Sequence, residues 1–125
     1  MKKKQASFGT IKLPGYRQSE KNIIDDPSAI ICCEADDHCT KIHRKDGTVT
    51  THTVCLKYME CKLNPLQFCR IHKEEIINLS FVEEWYRERS IIVVKLPHNE
   101  LVFVAQRKKH EFIVSYKYFL SQTRD

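Results

Sequence analysis

The sequence predicts an α+β fold in which a Cys/His-rich hairpin and helix, stabilised by zinc, pack with a three-stranded antiparallel meander. Three observations predict it. Five of the six cysteines, together with His38, His43, His52 and His72, lie between residues 33 and 72, and the last fifty residues contain no cysteine. Asp46-Gly47 is a strong tight-turn pair, and Thr-, Val- and His-rich segments that alternate as strands do flank it. Beyond Arg89, the segments Ser90 to Leu96, Glu100 to Gln106 and Glu111 to Phe119 are rich in Ile, Val, Phe and Tyr. Short polar turns at Pro97-His98-Asn99 and Arg107-Lys108-Lys109-His110 separate them.

A chain of 125 residues has the length of one domain and can bury roughly two thirds of its unfolded surface. The expected organisation is an arm over 1–28 and a single domain over 29–125. Within that domain, 29–89 is the zinc-binding part and 90–125 the meander. Met1-Lys2-Lys3-Lys4 is followed by polar residues, not by the apolar stretch of a secretion signal. The longest apolar runs fall far short of the about 20 residues that span a bilayer. These features point to an intracellular protein of the cytoplasm or nucleus with no membrane partner. In a reducing compartment clustered cysteines more often bind metal than pair with one another.

The arm is mixed in composition, with Pro14-Gly15 in its middle. Ala29-Ile30-Ile31-Cys32-Cys33 follows as an apolar run in which Cys32 suits a core as well as a metal. Cys33 and Cys39 are separated by five residues, and so are Cys55 and Cys61. Cys69 and His72 are separated by two. On a helix opened by Pro65 and continued by Lys73-Glu74-Glu75-Ile76-Ile77, Cys69 and His72 share the first turn, where the helix dipole favours thiolate. Zinc then needs two further ligands. One arrangement groups Cys55, Cys61, Cys69 and His72, and the other closes Cys33 (or Cys32) and Cys39 with Cys69 and His72. Spacing does not separate them.

Cys61-Lys62-Leu63-Asn64-Pro65 followed by Phe68-Cys69-Arg70-Ile71-His72 resembles the short treble-clef zinc fingers with a Cys...Cys...Cys-x2-His order, over about residues 33 to 80. The resemblance implies a structural zinc and binding to nucleic acid or protein, with Cys61, Cys69 and His72 as its core ligands.

The helix is expected to continue, because Ile76, Leu79, Val82 and Trp85 recur at three- to four-residue intervals opposite Glu83, Glu84, Arg87 and Glu88. Ser80 to Glu83 also fits a capping box, which allows two short helices in place of one. Catalytic signatures are missing. There is no His-Glu-x2-His, no phosphate-binding glycine loop and no deaminase order of His-x-Glu before Pro-Cys-x2-Cys. A treble-clef nuclease using His43 or His52 as base is the remaining enzymatic reading.

The formal net charge is +5. Its cations are grouped at Lys2-Lys3-Lys4, at Lys41, Arg44 and Lys45, and at Arg107, Lys108 and Lys109. Grouped Lys and Arg on loops neutralise phosphates and release counterions. The expected function is therefore a non-enzymatic zinc module that binds nucleic acid through basic loops. The alternative is a regulatory module whose partner is a protein, met through apolar residues such as Phe8 and Tyr16.

Overall fold

The computed structural model describes residues 26–123 together with Ile24. Most of the expected arm, with Lys2-Lys3-Lys4, Phe8 and Tyr16, lies outside the described residues. The elements run β1 (Ile30–Asp36), β2 (Cys39–Arg44), β3 (Val49–His52), α1 (Leu56–Lys62), β4 (Phe68–His72), β5 (Glu75–Asn78), β6 (Glu84–Glu88), β7 (Ile91–Leu96), β8 (Glu100–Val104) and α2 (Lys109–Thr123). Single 3-10 turns occupy Pro27–Ala29, Leu79–Phe81 and Gln106–Lys108. The strands form a five-stranded sheet in the order β3-β2-β1-β5-β4 and a three-stranded sheet β6-β7-β8, antiparallel throughout.

The larger sheet is apolar on both faces, and strand alternation decides which residue serves which. Cys33 lies opposite Ile42 and Ile76. This row joins Ile30 and Phe68 in a core closed by Leu56, Met59 and Leu63 of the α1 segment, whose spacing gives a short helix one apolar stripe. On the other face Cys32, Ile77 and Cys69 form the neighbouring row. It is covered by Ile92, Val94, Leu96 and Val104 of the smaller sheet and by Phe112 of α2. The larger sheet is thus the middle layer, between α1 and a layer made of the smaller sheet and α2.

Several expectations need correction. The zinc-stabilised, treble-clef-like fold is absent: the chain is mostly antiparallel sheet with a C-terminal helix. The segment read as a helix from Pro65 is strand β4, because Phe68, Cys69 and Ile71 are buried in a ladder with β5. The continuing helix is β5, a 3-10 turn and β6. Its apparent helical period arises from a strand, a turn and a strand laid end to end. A three-stranded meander exists, but it starts one element earlier, at β6. Its supposed last strand, Glu111 to Phe119, lies inside α2, where Phe112, Tyr116 and Phe119 stack along one side with centroids 5.9 and 6.5 Å apart. Trp85, expected in the core, packs against it from β6 and meets Phe112 edge-on at 5.8 Å.

The turns are better matched. The β2–β3 hairpin closes at Asp46-Gly47 as expected, with Gly47 at φ +92° and the Arg44 N–H donating to the Thr48 carbonyl at 2.9 Å. Pro97-His98-Asn99 links β7 to β8, and both His98 (φ 67°) and Asn99 (φ 61°) take the left-handed conformation of a tight hairpin turn.

Candidate nucleic-acid interface

The six cysteine and histidine positions proposed for zinc do not converge. Cys33 belongs to the core beneath α1, whereas Cys69 belongs to the core on the opposite face of the same sheet. One ion cannot reach both through a sheet. Cys55 precedes α1 and Cys61 lies within it, and both are exposed. Cys39 is half-buried at the start of β2. His72 ends β4, with Nε2 3.5 Å from the Glu75 carboxylate. Among the described residues no three His, Cys, Asp or Glu side chains are grouped so that they could hold a metal ion.

The buried thiols behave as apolar side chains. Burial pushes the Cys33 thiol up to about 12 and the Cys69 thiol up to about 11. Burial, and then Glu75, raises Cys32 further. The two histidines considered as nuclease bases also lie apart from any such centre. His43 Nε2 is 2.8 Å from Glu34 Oε1. His52 meets the Thr50 hydroxyl at 2.7 Å, and burial, then Arg44, pulls its imidazole down to about 4.

The basic residues fall into two groups on opposite sides of the larger sheet. Lys41, Arg44 and Lys45 belong to β2 and the turn after it. The Lys41 ammonium is 3.9 Å from Asp36, and Arg44 donates to the Thr50 hydroxyl at 2.7 Å. Lys45 is exposed. The other group, Arg107, Lys108 and Lys109, spans the 3-10 turn and the start of α2. Lys108 pairs with Glu111 at 3.3 Å, and Lys109 Nζ donates to the Ser90 carbonyl at 2.8 Å. Arg107 is exposed and makes no ion pair or side-chain hydrogen bond among the described residues.

Sequence reasoning missed Lys73. It sits exposed in the β4–β5 turn, and Arg70 holds that turn by donating to the Lys73 carbonyl at 2.5 Å and to Glu60 at 2.8 Å. The Ala105 N–H donates to the Ile71 carbonyl at 2.8 Å, so the β8 exit is tied to the end of β4. Lys73 and Arg107 each lie two residues along the chain from that bond. In the sequence Lys73 stands outside the basic runs, and its segment is read as the continuation of a helix.

Residues 20–115 match the family model described as the LytTr DNA-binding domain. A solved structure is also similar: the LytTr DNA-binding domain of a Bacillus cereus protein assigned as a methyl-accepting/DNA response regulator. It is 25% identical, with a TM-score of 0.65, over 70% of this chain and 81% of that one. Among curated proteins none matches the chain. The similarity runs through the segment read as a zinc finger and points to no zinc-finger family, which overturns the treble-clef resemblance. With a family model that covers most of its length, the chain belongs to the LytTR family of DNA-binding domains.

Proposed function

We propose that the chain binds duplex DNA without catalysis, through Arg107 and Lys73 at one side of the larger sheet and Lys45, with Lys41 and Arg44, at the other. The observation that carries this is the Ala105–Ile71 bond, which ties together the two turns that carry Arg107 and Lys73, exposed cations from distant sequence with no ion pair among the described residues. Strands β2 and β4 are three steps apart, roughly 14 Å at ordinary strand spacing. That is comparable with the about 12 Å width of the major groove, so the two groups suit phosphates on either side of one groove. Lys108 and Lys109, held by Glu111 and Ser90, position the turn that presents Arg107. Acting on DNA, the chain works inside the cell.

The test is fluorescence anisotropy on a labelled duplex over a salt series. Removing Arg107 and Lys73 together lowers the slope of log affinity against log salt by about 2, roughly one unit for each phosphate no longer neutralised. Affinity insensitive to salt, or a double variant identical to the parent, overturns the reading.

A further inference from the structure

The face of the larger sheet that carries the β7–β8 hairpin is left open over β1 and β2, forming a cleft of about 500 Å3. Its floor is one cross-strand row, in which Glu34 lies opposite Glu75 and Glu75 opposite His72. The Glu34–Glu75 pairing places like charges directly across a ladder, which is unfavourable. Each acid has an imidazole beside it. His43 Nε2 meets Glu34 Oε1 at 2.8 Å. His72 Nδ1 accepts the Glu74 N–H at 3.2 Å, so the neutral ring carries its proton on Nε2, 3.5 Å from Glu75 Oε1. Above this floor the rim combines exposed apolar residues, Val49, Leu101 and Phe103 at 50%, 57% and 54% exposed, with Arg44, His98 and Glu100, and the cleft's acids still outnumber its one permanent cation. Large apolar side chains gathered round one opening, rather than scattered singly, mark a surface that something covers.

We propose that this cleft is a binding site for a small organic cation, an ammonium or guanidinium group carried on an aromatic or branched-aliphatic body. The cation would sit between Glu34 and Glu75 and relieve their repulsion, with its apolar body against Phe103 and Leu101. The volume lies within the roughly 300–1,000 Å3 of small-molecule sites. Burial, followed by the charge of Glu34, pushes the Glu75 carboxyl up to about 7, so the acid gains most from a neighbouring cation. A bare metal ion does not suit the floor, because its donors do not converge on one point. An ammonium, with three separate donors, does not require them to.

The test is an NMR titration of the isotope-labelled chain at pH 8 with 2-phenylethylamine and, separately, with the neutral 2-phenylethanol. The amine shifts the amides of Glu34, His72, Glu75 and Phe103 saturably and binds at least about tenfold more tightly than the alcohol. Glu34→Gln, at a half-buried position, and Glu75→Gln each reduce that preference. Phe103→Ala weakens both compounds. An amine that does not saturate, that binds no better than the alcohol, or that shifts resonances outside the cleft overturns the proposal. No DNA enters the experiment, so its outcome is separate from that of the DNA-binding reading.

Discussion

His72 stacks on Phe103, with ring centroids 4.8 Å apart and planes 11° from parallel. The pair joins the edge strand of the larger sheet to the last strand of the smaller, next to the Ala105–Ile71 hydrogen bond. Although Phe103 is 54% exposed, its removal should destabilise the chain by about 1 kcal/mol, the usual worth of an aromatic pair beyond its buried area. Phe103→Leu, which keeps apolar bulk but not the ring, should lose a similar share. Urea unfolding of both variants checks this, and parental stability in both would show that the stack carries nothing.

Thiol reactivity follows from where the cysteines lie. Cys55 and Cys61 are exposed, Cys39 is half-buried, and Cys32, Cys33 and Cys69 are buried, with thiols held above their ordinary range by burial. Thiolate is the reactive form. A thiol reagent at neutral pH should therefore label Cys55 and Cys61 first and Cys39 more slowly. It should reach the other three only on unfolding, as read by peptide mass spectrometry. A chelator added beforehand should leave this order unchanged, and a changed order would restore the case for bound metal.

What the sequence disclosed, and what it hid, can be traced to particular residues. Asp46-Gly47 announced its hairpin because few residues other than glycine accept a positive φ there. The apolar runs at Ile91 and Leu101 announced β7 and β8 because strand pattern and β-branched composition agreed. At Phe68–His72 the chemistry of Cys69 and His72 drew attention from the burial pattern, so a strand was read as a ligand-bearing helix. At Phe112, Tyr116 and Phe119 the helical spacing was present, but aromatic and β-branched composition outweighed it. Packing of that stripe on the core beside Trp85 decides for helix, and propensity yields to tertiary context. Leu56, Met59 and Leu63 carried a readable helical period around Cys61 and were passed over. The edge proposed to meet DNA was half legible: Arg107 belonged to an obvious basic run, whereas Lys73 gains its place in the proposal only once Ala105 is seen to bond Ile71.

The pH dependence of stability contains two opposed contributions. The Glu75 carboxyl, raised by burial and then by Glu34 from 4.5 to about 7, keeps in the fold a proton that the unfolded chain has already released. Its stabilisation is complete below the unfolded value and is lost as pH rises through about 7. His52, lowered by burial and then by Arg44 from 6.5 to about 4, acts in the other direction. Its stabilisation is present above 6.5 and is lost as pH falls through about 4. Relative to the parent, Glu75→Gln should gain stability progressively across pH 4.5 to 7. His52→Gln should gain progressively as pH falls from 6.5 to 4. Urea unfolding at a series of pH values measures both differences, and a flat difference for either variant would show that its residue titrates alike in both states.

Asn78 is fully buried, and its amide joins three parts of the fold. Nδ2 donates to the Ile30 carbonyl at 2.8 Å, pinning the start of β1 to the end of β5. Oδ1 accepts from the Ser80 N–H at 2.9 Å, from the Ser80 hydroxyl at 2.7 Å and from Gln67 at 3.4 Å, fixing the 3-10 turn that carries the chain from one sheet to the other. Asn78→Ala leaves the buried Ile30 carbonyl without this partner, at about 1–3 kcal/mol, and removes the acceptor that fixes the Ser80 turn, so a loss of roughly 2 kcal/mol is expected. Asn78→Asp should cost at least as much, because it removes the donor and introduces a buried carboxylate. Thermal and urea unfolding decide the matter. If Asn78→Ala unfolds within about 0.5 kcal/mol of the parent, the ordinary range for an unremarkable surface substitution, the amide is not what holds the two sheets in register.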